Sequence, residues 1–390
     1  MNEWKKVRFL DVVHLNPRIS LEKGVEYPFV EMSNVVPCAR KPEKDVFKKY
    51  LGEGTKFEQG DTIVARIEPC LQNGKGFQCS YKQGFGSTEF LVFRPVNIND
   101  LDCDFLYYYM GQQSIREAMA KTMVGASGRQ RVNNKVFNDL QINLPPLSTQ
   151  HCIANILSRY DSLIENYQKQ IKLLEEAAQR LYKEWFVDLH FPGHENTKIV
   201  DGVPEGWERK SIGEIGEYLN GFAFKPSDWQ ELGKPIIKIK EMSNGVTNET
   251  PRNSGERVPE KYLIKAGDLL FSWSATLMVI IWSGEEGWLN QHLFKVTPVK
   301  GIDREFLLQS ISNTIVEFQN LTTGSTMKHI QRNKLNQVFI NVPNAEIMKR
   351  YADISEKTRS NILSLQSQLR LLTEARDRLL PKLMSGEIEI

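Results

Sequence analysis

The hydrophobic positions between residues 160 and 185 recur at alternating steps of 3 and 4, with Glu, Gln and Lys between them. Neither glycine nor proline interrupts the segment. This periodicity predicts a long α-helix that buries one narrow stripe against a partner helix, as in a coiled coil. The stripe consists of Ile164, Tyr167, Ile171, Leu174, Ala178, Leu181 and Trp185.

The C-terminal segment repeats this helix. A shift of 198 positions places Leu371 on Leu173, and seven further residues between 366 and 379 are identical in the same register. We therefore predict that the two helices pair antiparallel within one chain, although the pattern alone also allows a homodimeric coiled coil. The hydrophobic positions of the second stripe are Ile362, Leu365, Leu369, Leu372 and Leu379.

Two residues make the second stripe less regular than the first. Arg376 stands where the first copy has Ala178, and Pro381 predicts an end or a kink in the last turn. The first helix, taken as residues 160–185, would span roughly 39 Å at 1.5 Å per residue. That length is close to one turn of B-DNA, about 34–36 Å.

The rest of the chain carries the same duplication, with small insertions between the copies. In each half, the sequence Glu-Met-Ser-Asn follows a short hydrophobic run that predicts a strand, and a Gly-Asp turn precedes a second, buried strand. A further strand and two amphipathic helices follow. The matched segments are 31–34 with 241–244, 57–66 with 264–273, 87–96 with 290–299, 104–120 with 304–320, and 141–147 with 339–345.

These repeats predict an α+β fold with two similar strand-rich α/β domains, separated by two long helices that pack as an antiparallel coiled coil around a pseudo-twofold axis. The two domains would then lie at opposite ends of the helix pair. A Gly- and Pro-rich linker would connect the first helix to the second domain. The predicted boundaries are 1–147 for the first domain, 148–190 for the first helical spacer, 191–206 for the linker, 207–345 for the second domain and 346–390 for the second helical spacer.

Composition narrows the classes of protein. A chain of 390 residues with 41% hydrophobic and 25% charged residues is typical of a globular protein with more than one domain. No hydrophobic run reaches the length of a membrane span, and the N-terminus shows no signal peptide. Five cysteines without a CxxC motif favour a reduced, cytoplasmic protein. Because the net charge is only +2, any nucleic-acid-binding surface must be local.

Catalytic motifs are absent from the sequence. It contains no GxxxxGK[ST] phosphate loop, no dinucleotide-binding glycine pattern and no HExxH zinc motif. The Asn-Leu-Pro-Pro-Leu segment at 143–147 lacks the adjacent Asn-Pro and the aromatic residue of an amino-methyltransferase loop. The sequence therefore predicts a binding protein that carries no catalytic residues, metal or cofactor of its own.

Each half contains one basic stretch without acidic residues, between Glu117 and Asp139 and between Glu317 and Glu346. Arg, Asn and Gln can form paired hydrogen bonds with base edges, whereas Lys, Ser and Thr suit phosphates as well. Glycines in both stretches would allow close approach to a duplex. A solvated connecting loop is the alternative interpretation. The DNA-binding candidates are Ser127, Arg129, Gln130, Arg131, Asn133, Asn134, Lys135, Arg66 and Lys75 in the first half, and Ser325, Thr326, Lys328, His329, Gln331, Arg332, Asn333, Lys334, Lys225, Lys238 and Lys240 in the second.

The chain resembles the specificity subunits of type I restriction–modification systems. The resemblance rests on long, ordered stretches at 173–193 and 201–229, on the C-terminal 371–390, and on the entry to the first helix at 142–157. It extends over the whole chain. One departure from the family pattern is residues 341–354, which lack the Pro-Pro and Gln of the first copy, so methyltransferase docking on that side could differ in detail.

This resemblance implies a non-catalytic subunit for phage defence that reads a split, asymmetric site in double-stranded DNA with one target recognition domain per half-site. It also implies partners: two methyltransferase subunits and a restriction/translocase subunit, which would bind S-adenosylmethionine, ATP and magnesium. The family marks no universal base-reading residue, so only the regions 125–135 and 324–334 carry over. A duplicated coiled-coil scaffold, or a regulator, that binds no DNA is the alternative function.

Overall fold

The computed structural model describes residues 4–126, 129–247, 249–321 and 332–390. The chain divides into two compact units. Unit 1 comprises residues 1–166 and 370–390, and unit 2 comprises residues 167–369. Each unit therefore contains one strand-rich domain, the beginning of one long helix and the end of the other.

Unit 1 contains two four-stranded sheets and one two-stranded sheet. The strand orders are β2-β9-β6-β7 and β4-β3-β8-β5, and β1 pairs with β10. The strands are β1 (Lys5–Arg8), β2 (Val13–Leu15), β3 (Glu26–Val30), β4 (Phe47–Lys49), β5 (Thr55–Glu58), β6 (Thr62–Ala65), β7 (Gly76–Gln78), β8 (Gln83–Gly86), β9 (Phe90–Pro95) and β10 (Gln141–Leu144). The helices that begin in this part of the chain are α1 (Phe9–Val12), α2 (Cys103–Gly111), α3 (Gln113–Ala120), α4 (Val136–Asp139) and the long α5 (Leu147–Tyr182), and residues Met32–Asn34 form a 3-10 turn.

Unit 2 repeats this arrangement. Its four-stranded sheets have the orders β14-β21-β18-β19 and β16-β15-β20-β17, and β13 pairs with β22. The strands are β11 (Ile199–Val200), β12 (Val203–Pro204), β13 (Glu208–Ser211), β14 (Gly216–Asn220), β15 (Lys234–Ile237), β16 (Arg252–Asn253), β17 (Leu263–Ile264), β18 (Leu269–Ser272), β19 (Met278–Ile281), β20 (Gly287–Leu289), β21 (Leu293–Pro298) and β22 (Phe339–Val342). The helices are α6 (Ile239–Asn244), α7 (Arg304–Asn313), α8 (Ile315–Asn320) and the long α9 (Ala345–Ser385), with 3-10 turns at His194–Asn196, Pro226–Asp228, Glu260–Tyr262 and Arg332–Gln337.

The two strand-rich domains share more than strand order. In both, one sheet contains a single parallel pair, β3 with β8 in unit 1 and β15 with β20 in unit 2, among antiparallel neighbours. The Gly-Asp turn is also equivalent, since Asp61 accepts a hydrogen bond from the Glu58 amide and Asp268 from the Lys265 amide, each at 2.8 Å. The strand after that turn is buried along its whole length in both units. The predicted α+β fold with an internal repeat is confirmed.

The two long helices begin in different ways. Before α5, the buried side chain of Gln150 donates to the Pro145 and Asp100 carbonyls and accepts from the Asp102 amide, which holds the Pro-Pro entry in place. The second copy lacks this Gln. There, Asn344 caps the first turn of α9 by accepting a hydrogen bond from the Ile347 amide at 3.0 Å.

Helix α5 is longer than the predicted segment. It has 36 residues, so its axis measures about 54 Å rather than about 39 Å. It continues directly into a π-helical turn at Lys183–Val187, which carries Trp185 and Phe186 into the core of unit 2. Helix α9 has 41 residues and passes through Pro381 without ending there. Of the predicted end or kink at this proline, the end does not occur, because Leu383 and Met384 are buried in the core of unit 1 and hold the last turn in place.

The long helices pair antiparallel. In unit 2, Trp185 contacts Tyr351, with ring centroids 6.0 Å apart. Ala178 precedes Trp185 in the chain, and it lines the same cavity as Arg359 and Ile362, which follow Tyr351 in the chain. The two helices therefore run in opposite directions. Every predicted hydrophobic position of the two stripes is buried or half-buried. Packing of these stripes therefore contributes to the core of each unit.

Candidate nucleic-acid interface

In the first domain, the backbone places Arg66 beside the basic segment 129–135. The Val132 amide donates to the Arg66 carbonyl at 2.9 Å, and the Glu68 amide donates to the Gln130 carbonyl at 3.2 Å. Arg131 forms isolated β-bridges with Ile67 and Val124. Arg66 and the segment 129–135, which are far apart in sequence, thus lie side by side and form one surface.

Glu89 joins this surface, although the sequence did not single it out. The Arg131 guanidinium binds the Glu89 carboxylate side-on, with Nε 2.8 Å from Oε2 and Nη2 2.5 Å from Oε1. The Arg66 amide donates to the Glu89 carbonyl at 2.9 Å. Hydrogen bonding from Arg131 lowers the pKa of the Glu89 carboxyl, and Arg66 adds a smaller electrostatic contribution in the same direction. We call these three residues the Arg66–Glu89–Arg131 cluster.

The other first-half candidates differ in their availability. Arg129 and Lys135 are exposed, and Gln130 is half-buried. Asn133 uses its side-chain oxygen to accept a hydrogen bond from the Lys135 amide, and Lys75 donates its ammonium group to the Met32 carbonyl at 2.8 Å. Asn134 is half-buried, and its side-chain oxygen has no hydrogen-bond partner among the described residues. Ser127 lies outside the described residues.

The described residues include only part of the second basic segment. Ser325, Thr326, Lys328, His329 and Gln331 lie outside the described residues. Its remaining candidates belong to the 3-10 turn Arg332–Gln337, which buried Leu335 anchors to the core of unit 2. Arg332 and Asn333 are exposed, whereas Lys334 is half-buried and donates to the Gln337 side chain at 3.2 Å.

The other second-half candidates are Lys225, which precedes the 3-10 turn Pro226–Asp228, and Lys238 and Lys240 at the start of α6. Lys225 is exposed, and Lys240 is exposed and forms an ion pair with Glu249 at 3.3 Å. The Lys238 ammonium group lies 4.4 Å from the ring centroid of Trp229. This cation–π contact is accessible, because Trp229 is 47% exposed.

The second domain carries different side chains at the place of the Arg66–Glu89–Arg131 cluster. In the repeat alignment, Trp273 matches Arg66 and His292 matches Glu89. The Trp273 indole donates to the Asn220 side chain at 3.2 Å, and its ring centroid lies 5.9 Å from that of His292. The His292 Nδ1 atom is buried without a hydrogen-bond partner among the described residues. An aromatic and amide group thus replaces an arginine–carboxylate group on the same scaffold.

Charged residues interrupt both hydrophobic stripes at one equivalent place. In unit 1, the buried carboxylate of Asp161 accepts hydrogen bonds from Arg376 at 3.0 Å and from the Tyr108 hydroxyl at 2.6 Å. The repeat places Arg359 at the position of Asp161. In unit 2, Arg359 is buried and lies 4.0 Å from both Asp303 and Glu305. Arg376, which weakens the hydrophobic stripe in the sequence, thus has a partner from the other long helix.

No helix in the described part of the chain is long and apolar enough to cross a membrane. Within the same ranges, no group of three or more His, Cys, Asp or Glu side chains is placed to hold a metal ion.

Comparisons with known proteins agree with the duplicated fold. The family model for the type I restriction modification DNA specificity domain matches the chain twice, at residues 1–176 and 204–370. The HindI specificity subunit of Haemophilus influenzae is 25% identical over an alignment that covers 100% of both chains. The MjaIX specificity subunit of Methanocaldococcus jannaschii is 25% identical over 74% of this chain and 69% of its own.

Among solved structures, an S subunit of a type I restriction–modification system from M. genitalium has the same fold, with a TM-score of 0.53 and 16% identity. The superposition covers 97% of this chain and 96% of that one. The two family matches together span most of the sequence and coincide with the two strand-rich domains. The chain therefore belongs to the family of type I restriction–modification specificity subunits.

Proposed function

We propose that each strand-rich domain reads one half of a split, asymmetric site in double-stranded DNA. The observation that supports this most strongly is the difference between Glu89 with Arg131 in the first domain and Trp273 with His292 at the equivalent place in the second. Base pairs differ in the donors, acceptors and methyl groups that they present in the major groove. Two copies of one scaffold with different side chains are therefore suited to two different half-sites.

Exposed cations in the same regions would contact the DNA backbone. Arg129, Lys135 and Arg332 are exposed in the two basic segments, and Lys225 is exposed in a separate loop. Cations that neutralise phosphates supply affinity without sequence information, and they make binding sensitive to salt. With a net charge of only +2, such a surface must depend on these local groups.

The long helices would bind two methyltransferase subunits. Leu173 and Leu371, which are equivalent in the repeat, are 54% and 57% exposed. Exposed leucines at equivalent positions are suited to contacts with two copies of one protein partner. The half-site centres would then lie between about one and about one and a half turns of B-DNA apart, from the lengths of the heptad segment and of the whole helix.

Catalysis would reside on the partners. The methyltransferase subunits would bind S-adenosylmethionine, and the restriction/translocase subunit would bind ATP and magnesium. This chain would supply the choice of DNA sequence and the geometry of the assembly.

Binding to mixed-sequence duplex DNA, with and without the methyltransferase subunit, tests the proposal. We expect salt-sensitive binding to DNA. Unlabelled duplexes that contain one particular sequence motif should displace the bound DNA better than all other duplexes. A protein scaffold or regulator without DNA binding predicts no such competition in either preparation. That result would contradict the proposal.

A further inference from the structure

The two edges of the Arg131 guanidinium have different surroundings. Its Nε and Nη2 atoms form the side that binds the Glu89 carboxylate. Its Nη1 atom has no hydrogen-bond or ion-pair partner among the described residues. The Arg131 side chain is 48% exposed, compared with 21% for Glu89. The end of the guanidinium formed by Nη1 and Nη2 therefore remains accessible.

The backbone holds both partners of this ion pair in place. Arg131 and Val124 exchange two amide–carbonyl hydrogen bonds, each 3.0 Å long. On the other side, the Arg66 amide fixes the Glu89 carbonyl at 2.9 Å. Because the side-on carboxylate restricts the guanidinium before any ligand arrives, binding through its free end loses less side-chain entropy.

The charge of the cluster also favours an anionic partner. Arg66 and Arg131 carry two positive charges against the single carboxylate of Glu89. Arg66 is half-buried, and its Nε atom has no partner among the described residues. The cluster thus keeps a net positive charge while it presents one directed pair of donors.

We propose that Arg131 reads a guanine in the half-site of the first domain through its Nη1 and Nη2 atoms, and that Glu89 is the positioning residue that orients it. This inference rests on the proposed function. Guanine presents two acceptors, O6 and N7, that match the end of a guanidinium. Adenine presents a donor at N6 in place of O6, so it would face the same donors unfavourably.

The second domain should not share this preference by the same means. In the repeat alignment His292 and Trp273 occupy the places of Glu89 and Arg66, so the position equivalent to Glu89 has no carboxylate that could bind an arginine side-on. The guanine requirement set by the Arg131–Glu89 pair is therefore confined to one half of the site.

The test compares the methylated DNA motif in cells that carry the methyltransferase with wild-type chain, Arg131→Lys or Glu89→Gln. Lysine keeps the positive charge and can still donate to guanine, but it lacks the planar pair of donors that the side-on carboxylate orients. We expect Arg131→Lys to methylate additional sites with another base at one G·C pair of one half-site, while all other motif positions stay as in wild type. Discrimination against the wrong base at that pair, about 5- to 150-fold for a good bidentate contact, should fall several-fold. Glu89→Gln should reduce the discrimination while total DNA affinity stays the same or rises, because a negative charge is removed.

Arg252→Ala is the matched control, since Arg252 is a half-buried arginine that pairs with Glu285 at 3.3 Å in the second domain. It should leave the first half-site unchanged. In purified complexes, replacing the guanine by 7-deazaguanine removes the N7 acceptor. This change should weaken wild-type binding several-fold and weaken Arg131→Lys binding less.

A motif for Arg131→Lys that equals the wild-type motif at every position would overturn the inference. Uniform weakening of all duplexes would overturn it as well, since that result identifies a phosphate contact. Both outcomes leave sequence-specific wild-type binding intact. If the wild-type complex showed no sequence preference at all, that result would instead refute the proposed function itself.

Discussion

Replacing Arg376 by alanine puts at this position the residue that the first helix has at Ala178. It removes the guanidinium that lies 3.0 Å from the Asp161 carboxylate. Asp161 is 6% exposed and would keep the hydrogen bond from the Tyr108 hydroxyl, but its charge would have no cation at that distance. Removing one partner of a buried ion pair costs about 3–5 kcal/mol. The thermal midpoint should fall by roughly 6–20 °C, at about 2–4 °C per kcal/mol for a unit of this size.

Urea unfolding followed by circular dichroism measures this loss, and the same helix supplies a control. Arg378 pairs with Glu374 one turn earlier, but its side chain is 77% exposed. Arg378→Ala should therefore change the free energy of unfolding by no more than about 0.5 kcal/mol. If Arg376→Ala is as stable as Arg378→Ala, the buried pair contributes nothing measurable to stability, and the prediction is refuted.

A double variant separates the ion pair from the packing around it. Asp161→Asn combined with Arg376→Met leaves no buried charge, keeps an acceptor for the Tyr108 hydroxyl, and preserves most of the side-chain volume. Because well-packed neutral residues often replace a buried pair without loss, this variant should recover most of the stability that Arg376→Ala loses. A double variant that is no more stable than Arg376→Ala would show that the loss does not come from the uncompensated carboxylate.

Three further predictions concern helix caps, pH and salt. Asp102 and Asp303 cap α2 and α7, so alanine at either position should lower the free energy of unfolding in urea by about 1 kcal/mol. The larger loss is expected at Asp303, which also lies near the buried Arg359. Equal stability of both variants and wild type would exclude the capping role. Burial raises the pKa of the Glu305 carboxyl, and the Gln309 hydrogen bond partly offsets this effect. Such a carboxyl makes the folded protein less stable as the pH rises from the pKa of the unfolded state through that of the folded state. Glu305→Gln should therefore have a higher thermal midpoint than wild type at pH 7, and the difference should vanish at acidic pH; a difference that does not depend on pH would contradict this. Alanine at Arg129 and Lys135 should lower the slope of log affinity against log salt by about 0.9 for each phosphate that is no longer neutralised, whereas an unchanged slope would remove both residues from the interface.

Periodicity in the sequence was sufficient to predict the repeated architecture. Strands β6 and β18, each preceded by a Gly-Asp turn, lie where the duplicated pattern predicts them, and so do the two short helices of each domain. These elements depend on residues that are neighbours in sequence. Their hydrophobic spacing reports directly which face is buried.

Features that depend on contacts between distant residues could not be predicted in this way. Asp161 is 215 residues from Arg376, so the heptad pattern shows a polar interruption but not the partner that satisfies it. Pro381 predicts an end or a kink from local chemistry, whereas burial of Leu383 and Met384 keeps the helix from ending there. Glu89 could not be predicted because a pattern of acid-free basic segments excludes the very carboxylate that orients Arg131.

The claim that each domain reads its own half-site is tested most directly by the sequence of methylated sites. Adenine methylation would be mapped across a genome in cells that carry this chain and its methyltransferase partner. We expect one motif made of two different specified halves separated by unspecified base pairs. A continuous palindromic motif, with both halves alike and no gap, would contradict the claim.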